Sequence, residues 1–475
     1  MSGENLKHHC GIFGIYNHPD AARLTQLGLF ALQHRGEEAA GICTSDGEDL
    51  HLVKKTGLVG DVFDEASFEQ LPGHHAIGHV RYSTTGSSTV LNAQPYKVDY
   101  SRGQIAIGHN GNLVNAQLLR AELEAYGSIF GSTMDSEIFI HLIAKPSYRS
   151  HEEGIVESMR RIVGAYSLVI LTETQLYGVR DPQGFRPLCI GKLGDAFVLA
   201  SETCALDLIE AKFIREVEPG EVVVIDKKGI RSHFPHKGIE GIDHCHRAYC
   251  IFEHVYFARP DSTIFHDNVG LVRERLGRQL AKEKPAKADI VVPVPDSGNF
   301  AALGFSLESG IPLGHGLIRN HYIGRTFLSP HEKGRSLKVK IKLNPVREIV
   351  EGKRVVVVDD SIVRGNTSKN RVKLLRAAGA KEVHMRISCP PHISPCYYGI
   401  DFPSKKELLA ANASINEIKK FLNVDSLGYL SLEGMLGATT QSHDHFCTAC
   451  FTGQYPTPVV DDQDKFKLEG KRKVC

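Results

Sequence analysis

The chain has no long apolar run. None of its hydrophobic stretches approaches the roughly 20 residues a membrane-crossing helix needs, and no secretory leader is visible. It has no excess of either charge: 56 Lys and Arg stand against 55 Asp and Glu, a formal net charge of +1. No block of like charge forms a basic arm. Nucleic acid and membrane are therefore set aside as partners, and a cytoplasmic location is expected. Cysteine is sparse and scattered, 11 in 475 residues, which excludes a disulfide framework in a chain this long. Internal repeats and low-complexity tracts are missing too. The remaining composition, 42% hydrophobic and 23% charged, is that of a globular protein, and the length favours two domains.

One stretch organises the second half: Val355-Val356-Val357-Val358-Asp359-Asp360-Ser361-Ile362-Val363-Arg364-Gly365-Asn366-Thr367-Ser368. Four consecutive valines show no period-two alternation, which predicts a strand buried on both faces of a parallel sheet. A polar loop follows, then a helical run over 369–378 that stops at Gly379. A loop at the carboxyl end of a parallel strand is where α/β folds bind ligands, and its N–H groups cradle anions. Thr367 and Ser368 add hydroxyls, and Gly365 permits close approach. Asp359 and Asp360 suit ribose hydroxyls or a hydrated Mg²⁺. No Gly-Lys-Ser/Thr ending is present, so this is not a Walker loop.

The first half opens on Cys10-Gly11-Ile12-Phe13-Gly14-Ile15-Tyr16, which alternates like a strand with glycines where side chains must be absent. A lone cysteine there is ordinarily a buried structural thiol. It is also placed to be a nucleophile if residues 1–9 are removed. A free α-amine, with a pKa of roughly 7.7–8.0, can take the thiol proton; a peptide nitrogen cannot. Candidate partners follow: Arg35 in Gln33-His34-Arg35-Gly36, Arg81 before a hydroxyl-rich loop over 83–86, Asn110-Gly111 ending a strand, and Asp135 at an expected helix cap. An arginine and an aspartate can hold the two ends of an amino acid. The Asn110 amide and the Gly111 N–H can stabilise a tetrahedral oxyanion. Strands are expected near 164–171, 197–202 and 221–225. Arg180 and Ser201 read as scaffold.

Together these residues resemble the class II, N-terminal-nucleophile glutamine amidotransferases, while 355–368 resembles the 5-phosphoribosyl-1-diphosphate (PRPP) motif of type I phosphoribosyltransferases. The first resemblance implies Cys10 as nucleophile, Arg35, Arg81 and Asp135 in glutamine binding, and Asn110 and Gly111 as oxyanion hole. The second implies that Asp359, Asp360, Ser361, Val363, Arg364, Gly365, Asn366 and Thr367, with Arg335, bind PRPP. It also implies that Ser297, Asp359 and Asp360 bind Mg²⁺. The basic segment 335–344 then reads as a lid over a polyanion.

Both motif sets on one chain resemble the glutamine phosphoribosylpyrophosphate amidotransferase family, from Cys10 to about Thr457. Cys250, Cys396, Cys447 and Cys450 come from three separated places and suit zinc, a redox pair or an iron–sulfur cluster. The resemblance selects the branch with a cleaved leader and a structural [4Fe–4S] cluster held by these four. It implies one cluster and one Mg²⁺ per subunit, purine nucleotides as feedback inhibitors, and a tetramer or dimer. The expected division is a leader 1–9, an αββα Ntn-hydrolase sandwich 10–245, a phosphoribosyltransferase parallel-sheet domain 246–457 and a tail 458–475. Three positions depart from the family pattern: Asn366 stands for threonine, His254 for tyrosine and Lys340 for arginine. Three other readings are weighed. Another class II amidotransferase would lack 355–368, a PRPP-sensing regulator would not need Cys10, and an iron–sulfur redox protein would need an exposed cluster.

Overall fold

The computed structural model describes residues 10–82, 90–237, 246–320, 343–400 and 404–458. The expected leader, the 83–86 loop, the 245 boundary, Arg335, Lys340 and all but the end of the 335–344 segment lie outside the described residues.

The first half stacks two antiparallel sheets. One has seven strands in the order Lys212–Glu216, Cys189–Leu193, Ala196–Ala200, Gly11–Tyr16, His75–Arg81, Ala39–Ser45 and Leu50–Thr56. The other has six: Gly229–His233, Val222–Asp226, Leu176–Arg180, Gly164–Leu171, Gly103–Leu113 and Tyr96–Tyr100. Ile12, Ile77 and Leu199 of the first sheet meet Ala106, Val169 and Leu176 of the second in an apolar layer. Helix Ala21–Ala31 covers the outer face of the first sheet, and helices Ala116–Ala125, Ser136–Ile143 and His151–Met159 cover the other. Each sheet thus buries both faces, and the layer order is αββα. That explains why Gly11–Tyr16 is buried along its whole length rather than on alternate residues. Its glycines make room: a Cβ on Gly11 would sit 2.9 Å from Val80 Cγ2 and 3.0 Å from Leu32 Cβ.

The second half is a parallel sheet in the order Ile290–Pro293, Arg354–Asp359, Glu382–Ile387 and Ser426–Tyr429. The four valines occupy an interior strand and are fully buried. Helix Val269–Glu283 is capped by the Asn268 side chain on the Leu271 N–H at 3.0 Å. The helix after the acid pair begins three residues earlier than its apolar pattern suggests, running Asn366–Ala377. Gly365 precedes it with φ +81°, a left-handed turn that glycine adopts without steric cost. The first helical turn is polar because it faces the loop, so hydrophobic periodicity does not report it.

The halves are fastened by exchanged carboxylates. Glu253, in a single π turn Glu253–Phe257, reaches into the first half and accepts from Arg35 Nη2 at 2.6 Å and Arg186 Nη1 at 3.0 Å. Glu202 of the first half accepts from the Ser262 hydroxyl at 2.7 Å and the Arg259 N–H at 2.9 Å. All four ionic side chains of these clusters are fully buried. Arg273 then pins the π turn by donating to the carbonyls of His254 and Ala258. His254 itself is buried, neither ring nitrogen is hydrogen-bonded among the described residues, and its ring meets Phe265 and Phe446 in the core of the second half.

Candidate active site

Cys10 precedes the strand Gly11–Tyr16, on the seven-stranded sheet between His75–Arg81 and Ala196–Ala200. Ser201 fixes the strand by accepting the Ile12 N–H at 3.0 Å and donating its own to the Ile12 carbonyl, a scaffold role. Burial pushes the Cys10 thiol up to about 11, although the Tyr82 carbonyl contact and the Arg81 charge oppose the shift. A thiol this reluctant to ionise needs a base beside it. Arg81 ends the neighbouring strand and is itself buried; Cys10, Arg81 and Asp135 all lie within electrostatic reach of one another.

Asp135 stands at the N-terminus of helix Ser136–Ile143, but its side chain makes no capping bond. It turns instead to the strand Gly103–Leu113, accepting the Leu113 N–H at 3.0 Å and lying 3.5 Å from His109 Nδ1. Burial disfavours its charge, yet His109 and the backbone donors hold it below the usual carboxylate range. On the same strand Asn110 is fully buried, and both atoms of its amide lack a hydrogen-bond partner among the described residues. A buried amide left unsatisfied is costly in an apo fold and is useful only if something else completes it. Gly111 has φ +151°, and a Cβ there would lie 2.0 Å from the Ala165 carbonyl oxygen. Arg35 is placed differently from the expectation of a glutamine contact. Its Nη1 and Nη2 donate to Glu253, and its Nε lies 3.1 Å from Glu202. Arg180 is likewise committed to the carbonyls of Gly184, Arg186 and Val217.

In the second half, Asp359 ends its strand at the carboxyl edge of the sheet, with Asp360 and Ser361 after it. Ser297 follows the neighbouring strand Ile290–Pro293 and donates to Asp360; Ser361 donates to the other Asp360 oxygen. So the structure brings Ser297 to the acid pair from a separate loop. Asp359 accepts the Asp360 N–H at 3.1 Å and ion-pairs with Arg371 of the following helix. Burial raises Asp359 strongly; Arg371 opposes that rise, and Asp360 adds to it. Arg364 pairs with Glu407 at 2.9 Å, and the Val363 carbonyl accepts the Leu409 N–H, also at 2.9 Å. Both contacts hold the loop from below. Helix Asn366–Ala377 presents its N-terminus, with Asn366 and Thr367, to the same edge.

Sequence reasoning missed Arg371 and Arg186. Arg371 lies in the second turn of its helix and Arg186 in the loop before strand Cys189–Leu193, and neither position gives a sign of its partner. Glu253 did give a sign: a lone acid in the apolar run Ile251-Phe252-Glu253-His254-Val255 must be paired if buried.

The four candidate cluster thiols gather at the junction. Cys250 and Cys447 are register partners on the short parallel strands Tyr249–Cys250 and Phe446–Cys447. Cys450 interacts electrostatically with Cys396, Cys447 and Cys250, and Cys250 with Cys396. Burial raises all four thiols, and Arg186 opposes the rise at Cys250, Cys396 and Cys447. Among the described residues no three His, Cys, Asp or Glu side chains converge closely enough for a single metal ion. Cys250, Cys447 and Cys450 are buried and Cys396 is half-buried.

A family model described as a glutamine amidotransferase domain matches residues 79–208. The amidophosphoribosyltransferase of Methanocaldococcus jannaschii is 51% identical over 463 residues, covering 95% of this chain and 98% of that protein. The solved glutamine PRPP amidotransferase from B. subtilis, complexed with ADP and GMP, is 45% identical with a TM-score of 0.90, covering 96% of this chain and 99% of its own. A second solved structure, an allosteric regulatory enzyme of purine biosynthesis, is 46% identical with a TM-score of 0.90, covering 95% and 97%.

Proposed function

The chain belongs to the amidophosphoribosyltransferases of purine biosynthesis, and from that membership we propose which of its residues carry the two half-reactions. Residues 10–245 form the glutamine amidotransferase domain and 246–457 the phosphoribosyltransferase domain, between a leader 1–9 and a tail 458–475. The observation that carries the assignment is the orphaned Asn110 amide on the strand tied to Asp135, whose carboxylate lies within electrostatic reach of the buried Cys10 thiol.

Arg81 takes the α-carboxylate of glutamine and Asp135 its α-amine. With residues 1–9 removed, the α-amine of Cys10 accepts the thiol proton as sulfur adds to the side-chain carbonyl. The Asn110 amide and the Gly111 N–H stabilise the oxyanion. The C–N bond breaks, the amine proton leaves with the nitrogen as ammonia, and a thioester remains. Water hydrolyses it to glutamate and restores Cys10. Arg35, held by two carboxylates, anchors the junction rather than the substrate.

At the second site, helix Asn366–Ala377 and the loop Ser361, Val363, Arg364, Gly365, Asn366 and Thr367 hold the 5-phosphate of PRPP. Asp359 and Asp360 accept the ribose hydroxyls. Ser297, Asp359 and Asp360 would hold one Mg²⁺ per subunit, which neutralises diphosphate charge. Arg335 and Lys340 belong to the proposed lid. Ammonia kept from water by an apolar path displaces diphosphate at the ribosyl carbon, giving 5-phosphoribosylamine. Cys250, Cys396, Cys447 and Cys450 would hold one [4Fe–4S] cluster per subunit in a structural role, since no step moves an electron. The ADP and GMP bound by the B. subtilis enzyme support purine nucleotides as feedback inhibitors here, in a tetramer or dimer. No described helix is long and apolar enough to cross a membrane, and we place the enzyme in the cytoplasm.

Cys10→Ala tests the division of labour. Glutamine-dependent synthesis disappears and ammonia-dependent synthesis stays. Loss of both in a folded, iron-containing variant overturns the two-site reading. Intact mass measured without oxygen reports whether 1–9 is absent and iron and sulfide are present.

A further inference from the structure

We propose that the turn 397–399, which belongs to the second half, is a positioning element of the oxyanion site in the first. Hydrolysis at Cys10 then depends on a contact made across the junction. The inference rests on the reading of Asn110 and Gly111 as oxyanion donors and extends it to the residues that hold them.

Three observations carry it. Gly399 lies with its backbone directly on that of Gly111. A Cβ on Gly399 would sit 3.0 Å from both the carbonyl carbon and oxygen of Gly111, and 3.3 Å from its Cα. Next, Asn112, one residue past Gly111, donates its side-chain N–H to the Tyr397 carbonyl at 3.0 Å. Finally, the turn is itself fixed from the first half. Arg186 Nη2 donates to the Tyr398 carbonyl at 2.8 Å, and the Tyr398 ring stacks on Phe185 at 4.2 Å. Gly111 is thus held between the Ala165 carbonyl on one side and Gly399 on the other. Both contacts exclude a side chain, so the peptide has no lateral play.

Oxyanion donors act through preorganisation: they must already stand where the charge will develop. Asn110 and Gly111 lie past Ile107, where pairing with strand Tyr96–Tyr100 ends, so among the described strands only Gly164–Leu171 pairs with the Gly111 peptide, in register at Tyr166. The other support comes from the turn. The two glycines also have positive φ, +151° at Gly111 and +99° at Gly399, which is how the backbones reach this separation.

The test uses Gly399→Ala, which drives a methyl into Gly111, and Asn112→Leu, which removes the tie to Tyr397 without adding to the backbone contact. In both, kcat for glutamine hydrolysis is expected to fall about 100-fold, the scale of one lost oxyanion donor. KM for glutamine and ammonia-dependent synthesis are expected to stay unchanged. An aldehyde analogue of glutamine supplies a second readout. Cys10 sulfur adds to its carbonyl carbon, the C=O π bond breaks, and the thiol proton goes to the new oxygen. Its affinity should fall by the same factor as kcat. Unaltered kcat in both variants, with hydrolysis lost in Asn110→Ala, overturns this inference and leaves the oxyanion reading standing. Unaltered kcat in Asn110→Ala overturns both. Loss of ammonia-dependent synthesis together with hydrolysis marks a folding role and also overturns the inference.

Discussion

Replacing Glu253 by Gln should loosen the junction by an amount the geometry sets. The carboxylate is fully buried and accepts from Arg35 at 3.1 and 2.6 Å and from Arg186 at 3.0 Å. The substitution keeps the volume and removes the charge. Arg35 retains Glu202 at 3.1 Å, whereas among the described residues Arg186 keeps the Tyr398 carbonyl as its hydrogen-bond acceptor. Breaking a buried pair by deleting one partner costs about 3–5 kcal/mol, because the surviving ion is left in a medium that solvates it poorly. Since Arg35 keeps a second acid, the lower end applies: about 3 kcal/mol, or roughly 150-fold in the equilibrium. The assay is urea unfolding followed by circular dichroism and tyrosine emission, since the chain has no tryptophan. The cost straddles two halves, so the variant should also separate their transitions. Raising salt on the wild type should not reproduce the effect, because buried pairs escape screening. A loss under about 1 kcal/mol, the size of an exposed pair, would refute the argument.

Three further outcomes are expected. Asp359→Asn with Asp360→Asn abolishes synthesis from glutamine and from ammonia while sparing some glutaminase; unchanged PRPP kinetics would sink the ribose assignment. Arg371→Met leaves a buried carboxylate without its cation and raises the KM for PRPP by about tenfold, from the strength of a charged hydrogen bond. Arg371→Lys restores part of it, and steady-state kinetics decide. Burial holds the Cys10 thiol near 11 while its nitrogen is in a peptide bond, so the thiol is not the group expected to titrate hydrolysis at neutral pH. The base must be unprotonated to work, so kcat/KM for glutamine falls as pH drops through roughly 7.7–8.0, the α-amine range. A limb near 11, or activity in a variant that keeps residues 1–9, contradicts the amine as base.

Much of the fold is visible in the sequence where one physical demand dominates. Val355 to Val358 must be interior because four adjacent valines have no polar face, and they are. Cys10 to Tyr16 reads as a strand because its glycines mark close neighbours. Asp135 reads as a cap by spacing alone, but its carboxylate serves the strand beside it, and spacing has no access to that third dimension. The same limit applies to Arg35: a motif names the residue, and only the junction reveals that two acids from different halves share it. The start of the helix at Asn366 escaped because its first turn has no apolar residue to mark it.

The pairing of Tyr249–Cys250 with Phe446–Cys447 joins the beginning of the second half to its end. A ribosome releases Cys250 roughly 200 residues before Cys447, a delay of about 10–40 s at bacterial rates of 5–20 residues per second. Throughout that interval Cys250 has no strand partner and Cys396 no neighbours from the final segment. The corner where these thiols gather therefore closes late in synthesis, after most of the second half has emerged.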